Sequence, residues 1–443
     1  MSGFGRRKLQ QSGLSRRLFL QGGGLLAASF GLGLPAFARA ALAGEGVQAQ
    51  PGKRQKVFAF LFLRGALDGL HAVQPHGERR LASLRPDLLL PAPGAAKKSD
   101  ALQPLLDLGV PGFGLHAALA PLLPLWQDGA LALVHAVGAP GNTRSHFDAQ
   151  DMLELGTPGV KNTPDGWLSR ALGAAPTAGE RSPLEAVAIT GKLPRSLQGT
   201  AGALAFASVD QLRLRPLAGA GGEKGRARSR AAFEALYARS ADEALSAQGK
   251  EAFAALQLLD KKIGKDGLPT APGASYPQGP LGSSLKQLSQ LIKADVGLRV
   301  ACTEAGGWDT HSGQPGALSR GLGDLGQALA AFHRDLGDRA GDVVLVAATE
   351  FGRTVRQNGA QGTDHGHGSV AFVLGGPVAG GKLHGRWPGL EDSQLFEGRD
   401  LAVTTDLRQV LLACAEAQLG PLDAGRVFPG FTAGPLPGLL RAV

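Results

Sequence analysis

The sequence predicts an α/β protein built on a mainly parallel sheet, and three observations predict it. Six short runs rich in β-branched and aromatic residues alternate with longer helical patterns. The runs are continuously apolar rather than alternating, as expected of strands covered on both faces. Most of them end on a cluster of polar, chemistry-bearing residues, as strands do when one edge of the sheet carries a site.

The predicted strands, in order, are Val57–Leu63 (VFAFLFL), Leu131–Val137 (LALVHAV), the weaker Ala186–Thr190, Leu298–Thr303, Val343–Ala347 and Val370–Leu374. Helical patterns lie near Leu115–Gln127, His146–Leu155, Ser229–Lys262, Leu285–Lys293, Ala317–Leu336 and Asp406–Leu419. Gly/Pro-rich segments around 91–112, 264–282 and 375–390 read as loops. There is no internal repeat. Residues 55–443 form one domain in this reading, with insertions near 191–282.

The N-terminus reads as an export signal. Ser15-Arg16-Arg17-Leu18-Phe19-Leu20 precedes an uncharged Gly/Ala/Leu-rich run and then Ala38-Arg39-Ala40, a small-x-small cleavage pattern. The run is too short and too glycine-rich for a spanning helix. Paired arginines before Phe-Leu resemble the twin-arginine type, so residues 1–40 are expected to be a signal peptide handled by the twin-arginine machinery, with a linker over 41–54. Such a route takes folded proteins, and it implies a periplasmic or secreted product. No other run is long and apolar enough to cross a bilayer.

The formal charge of +9 depends on that segment. Residues 1–40 hold six Lys/Arg and no Asp/Glu, leaving 40 basic against 37 acidic residues, about +3. No basic block interleaves with aromatics, which argues against nucleic acid as a partner. The run Lys224–Arg230 reads as the opening of a solvated helix. Two cysteines, Cys302 and Cys414, allow one disulfide but no disulfide scaffold.

The strand ends carry the candidate chemistry. Asp68 follows the first strand; Arg144, Ser145 and His146 follow the second; Asp309 and His311 (GGWDTHSG) follow the fourth; Glu350 and Arg353 follow the fifth. Asp364, His365 and His367 stand in GTDHGHG just before the last strand. Mixed carboxylates and imidazoles suit zinc or manganese better than calcium or a soft metal. Asp309 and His311 share a face of an extended segment. Asp364 and His365, bounded by glycines, can bend to one ion or reach a two-metal centre. Each also has a bland reading: Asp68 in an Asp-Gly turn, Asp309 near a helix N-cap, Asp364/His365 in a polar loop, His367 exposed. Ser145-His146-Phe147-Asp148 fits a capping signature, yet a hydroxyl at a helix N-terminus is also placed to act as a nucleophile or to touch an anion. Arg144 and Arg353 are candidate clamps for an oxyanion, because guanidinium binds one through two bonds.

Seven ordered motifs, LRGALDGL, RSHFDAQD, GWLSR, GGWDTHSGQ, TEFGRTVRQNG, GTDHGHG and the signal peptide, resemble the bacterial domain-of-unknown-function family 1501 over about residues 55–420. The resemblance implies the alkaline phosphatase/sulfatase clan, with a three-layer α/β/α fold and commonly two metals. It matches Asp68 to the clan's first-strand ligand and Asp364 with His365 to its late pair. Asp309 and His311 resemble the middle pair at shorter spacing, and Ser145 falls near the nucleophile position without a close local match. Neither cysteine, nor any serine, starts the C/S-x-P-x-R pattern of formylglycine sulfatases. The expectation is an exported metal-dependent hydrolase or transferase acting on a phosphoric ester, less so a sulfuric one. The alternative is a non-catalytic envelope protein binding a metal or a small anionic ligand.

Overall fold

The computed structural model describes residues 54–441 apart from 140, 178–180, 200–201, 210–242, 265, 435 and 437, and leaves the side chains of 243–248 undescribed. The signal segment, nearly all of the linker, the basic run Lys224–Arg230 and the start of the Ser229–Lys262 pattern lie outside the described residues.

The strands are β1 (Val57–Leu63), β2 (Val73–Gln74), β3 (Leu106–Asp107), β4 (Gly114–Leu115), β5 (Leu131–Gly138), β6 (Ala186–Ile189), β7 (Ala203–Ala205), β8 (Val300–Ala305), β9 (Val343–Ala348), β10 (Ser369–Gly375), β11 (Leu383–His384) and β12 (Thr405–Asp406). The principal helices are α1 (Gly69–Ala72), α2 (His146–Leu155), α3 (Trp167–Ala174), α4 (Glu243–Lys262), α5 (Pro280–Lys293), α6 (Gln314–Leu336) and α7 (Leu407–Leu419). The main sheet runs β11-β5-β10-β9-β1-β8-β6-β7, with β12 also paired to β5.

The central strand β1 shows why continuous apolarity was the right signal. Val57, Ala59, Leu61 and Leu63 pack on one face with α4, α5 and α6 residues such as Leu256, Leu288 and Leu325. Phe58, Phe60 and Phe62 pack on the other with Leu168 and Leu172 of α3 and Val410 and Leu411 of α7. With side chains alternating at period two and helices on both faces, every position of β1 is buried. The result is a mixed α/β architecture, with the mainly parallel sheet between two helical layers.

Within the main sheet only β10, among the described strands, breaks the parallel pattern, pairing antiparallel with both β9 and β5. This reversal matters for the site. Residues 349–368 leave the carboxyl end of β9 and re-enter at the amino end of β10, so the whole excursion stays at one edge of the sheet.

Other departures have local causes. The Leu115–Gln127 pattern is not one helix: Leu115 pairs in the small sheet β2-β4-β3, and Ala117–Leu122 is a 3-10 segment containing Pro121. A further short helix, Leu123–Gln127, carries Pro124 in its first turn. Two prolines remove the amide donors a continuous helix needs. The fourth strand spans Val300–Ala305 rather than ending at Thr303, because Arg64 meets Glu304 at 2.6 Å and makes a polar strand end tolerable. Helix α5 starts early, at Pro280, where the missing N–H costs nothing. Cys302 and Cys414 are both buried and unbonded, and burial pushes both thiols up, that of Cys302 to about 12.

Candidate metal centre at the carboxyl edge of the sheet

Three loops build the site. The β5–α2 loop brings Arg144, Ser145 and His146, and the β8–α6 loop brings Asp309 and His311. The β9–β10 excursion supplies Glu350 and Arg353, and later Asp364 and His365. The two arms of that excursion lie backbone against backbone: Gly352 N donates to His367 O at 2.7 Å and Gly366 N to Gly352 O at 2.8 Å. A Cβ at Gly352 would sit 1.8 Å from the Gly368 carbonyl oxygen, and one at Gly366 would sit 2.3 Å from the Arg353 carbonyl carbon. Those glycines are the condition for placing Arg353 and His365 side by side.

At the centre is Asp309 Oδ1. His311 Nε2 lies 3.0 Å from it, His365 Nε2 3.1 Å and His146 Nε2 3.4 Å. His311 Nε2 and His365 Nε2 are 2.9 Å apart. Ligand atoms of His146, Asp309 and His365 all fall within 4.8 Å of one another.

Each imidazole is held from behind by its other nitrogen. His146 Nδ1 meets Glu350 Oε1 at 2.8 Å, His311 Nδ1 meets Asp364 Oδ1 at 3.0 Å, and His365 Nδ1 meets the Arg144 carbonyl at 2.7 Å. A carbonyl or an ionised carboxylate only accepts, so each Nδ1 carries the proton. A neutral ring then turns an Nε2 lone pair inward. Three such lone pairs and a carboxylate oxygen, 2.9 to 3.4 Å apart along the four measured separations, repel one another unless a metal ion or an added proton stands among them.

The carboxylates are tuned to match. Burial would raise the Asp309 carboxyl, but the Arg353 guanidinium bonded to it at 2.7 Å wins and takes it down to about 2. Burial likewise opposes ionisation of Glu350, yet bonds from His146 and Gln150 hold its carboxyl below the usual range. Asp364 is lowered too, because bonds from His311 and Asn358 outweigh burial. The His146 imidazole is raised, first by its bond to Glu350, against the cost of burial.

Four expected site residues are placed differently. Asp68 is fully buried and bonded to Arg85 at 2.8 Å and Gln314 at 2.7 Å, an internal ion pair rather than a member of the cluster. The His367 ring stacks on Phe396 at 4.3 Å instead of joining the other imidazoles. Arg144 is bonded to Asp400 and Glu397, and its part in the site is its carbonyl, which holds His365. Arg353 is a buried brace that joins Asp309 to Thr363. Neither guanidinium is free to clamp an oxyanion here. Ser145 caps α2 through a long 3.5 Å bond from Asp148 N and is half-buried beside His146.

A family model described as a protein of unknown function, DUF1501, matches residues 55–429. The chain belongs to that family. No curated protein and no solved structure matches it. In this DUF1501 chain, His146 and Glu350 are the participants that motif reading left out of the ligand set. Their sequence signal was positional, since both stand in the segments that follow predicted strands.

Proposed function

We propose that this DUF1501 chain is an exported, divalent-metal-dependent hydrolase or transferase of a phosphoric ester, of the alkaline phosphatase/sulfatase type. The carrying observation is the convergence of His146, His311 and His365 Nε2 on Asp309 Oδ1, with every Nδ1 anchored to an acceptor. That donor set fits zinc: ligands about 2.0–2.1 Å from a tetrahedral ion stand roughly 3.3 Å from one another, close to the separations here. Acceptors behind metal-ligating histidines fix the tautomer and raise ligand basicity. A metal here would polarise the ester and stabilise the leaving oxygen. The chain's own residues do the rest: Arg353 keeps Asp309 ionised, Glu350 orients His146, and Ser145, bordering His146 with only one weak cap bond, supplies the attacking hydroxyl.

Turnover of aryl phosphate mono- and diesters by zinc- or manganese-loaded protein, abolished by chelation, tests this reading. Ser145→Ala should remove turnover while metal content stays within error, with no more than the small stability loss of a weak cap. A loss of about 1 kcal/mol of stability with activity per folded molecule unchanged would make Ser145 a cap alone. Metal bound with no turnover on any ester would leave the envelope metal- or anion-binding protein as the reading. Export rests on Ser15–Leu20, and Arg16→Lys with Arg17→Lys should leave uncut precursor in the cytoplasm on cell fractionation. Unchanged delivery of that variant to the periplasm would refute the twin-arginine route.

A further inference from the structure

An open pocket of about 210 Å³ lies against the cluster and shares Asp364 with it. Its wall includes Thr354, Arg356, Asp364, Asp392 and Arg399. The bridged pair Arg353-Thr354 and the bend that follows it explain the placement. Bridges tie Arg353 to His365 and Thr354 to Asp400, with Arg353 turned inward to Asp309 while Arg356 is exposed.

The lining carries two arginines and two aspartates, but both aspartates are bonded to groups other than those arginines. Asp392 is bonded to Arg80 at 2.7 Å. Asp364 Oδ1 already accepts from His311 and Asn358. The Arg356 guanidinium has no acceptor among the described residues. Arg399 donates one N–H to the His365 carbonyl at 3.0 Å, and its Nε is 3.8 Å from Asp400, whose other oxygen is bonded to Arg144. Two guanidiniums therefore open onto one cavity with donor capacity left over, the arrangement that binds an oxyanion.

We infer that this pocket is a second anion subsite, and that the substrate carries a second phosphoryl group which Arg356 and Arg399 hold while the first lies at the metal cluster. The inference rests on the ester-hydrolase reading for its link to turnover, but the pocket can be tested without it. Arg399 touches the His365 backbone, so a variant there can disturb the cluster; Arg356 is exposed with no bonded acceptor among the described residues, so its removal should leave the fold intact.

The first measurement is a calorimetric titration of metal-free full-length protein with inorganic phosphate. Binding should weaken at least tenfold in Arg356→Ala, and Arg356→Lys should recover part of it as a point charge without the fork. Equal binding by wild type and Arg356→Ala, or none by wild type, overturns the subsite. The second measurement uses metal-loaded protein and compares kcat/KM for glucose 1,6-bisphosphate with that for 4-nitrophenyl phosphate. The ratio should fall at least tenfold in Arg356→Ala. An unchanged ratio overturns the substrate class, whether the second group is a phosphate or any other anion. Absence of all turnover, with Arg356-dependent phosphate binding intact, would instead refute the hydrolase reading and support the pocket.

Discussion

Two groups of three histidines occupy this molecule, and their fates are opposite. His146, His311 and His365 stand at the carboxyl edge, 22, 44 and 24 % exposed, each with Nδ1 fixed by a carboxylate or carbonyl. His71, His116 and His135 are buried. Both His71 nitrogens and His116 Nε2 find no partner among the described residues, although the two rings lie 5.2 Å apart. Burial pushes His71 down to about 3, helped by the neighbouring His116, and takes His116 and His135 to about 4. At the edge, by contrast, the Glu350 bond raises His146. The same side chain is thus a candidate ligand in one place and a neutral core residue in the other. An acceptor alone does not decide it, since His135 Nε2 also meets the Val73 carbonyl at 3.0 Å; burial away from a bonded carboxylate does.

The largest expected effect breaks the open group. Asp309→Ala or His365→Ala should drop metal content from about one ion per chain to near zero by elemental analysis, because the remaining lone pairs no longer surround an ion. Full occupancy in both variants would end the metal assignment.

A carboxylate in the buried group should behave otherwise. Asp68→Ala leaves Arg85, 2 % exposed, as an unpaired buried charge, a change that costs about 3–5 kcal/mol. Chemical denaturation should show that loss while metal per folded molecule stays constant. A loss of metal without a loss of stability would return Asp68 to the ligand set.

The smallest effect is a slope with pH. His71, His116 and His135 titrate near 6.5 when unfolded and at about 3, 4 and 4 when folded. Between those values the unfolded chain binds more protons, so their contribution is complete above about pH 6.5 and is lost progressively as pH falls toward 4. Thermal melts from pH 7 to 4.5 should show falling stability, with a shallower slope in His116→Gln. Equal slopes would mean the burial argument misplaces the acid sensitivity.

The comparison also shows how far the sequence reaches. Continuous apolar runs with helical patterns between them were enough for the mainly parallel α/β sheet, because burial on both faces leaves its mark on every residue of a strand such as Val57–Leu63. Asp309, His311, Asp364 and His365 were legible as candidates for the same reason of position: they follow or precede strands at one edge. The sequence carried no sign that β10 runs antiparallel, because its apolar run looks the same in either direction; that reversal brings His365 to Asp309. Nor did it separate Asp68 from the ligands, since the residue that claims it, Arg85, stands 17 residues on and outside every motif. His146 looked like part of a capping sequence until Glu350, 204 residues later, stood behind its ring. Local pattern determines which face is buried and where the polar residues cluster. Which nitrogen keeps its proton, and which carboxylate meets a guanidinium rather than an imidazole, depends on contacts between distant segments, and only the tertiary structure decided them.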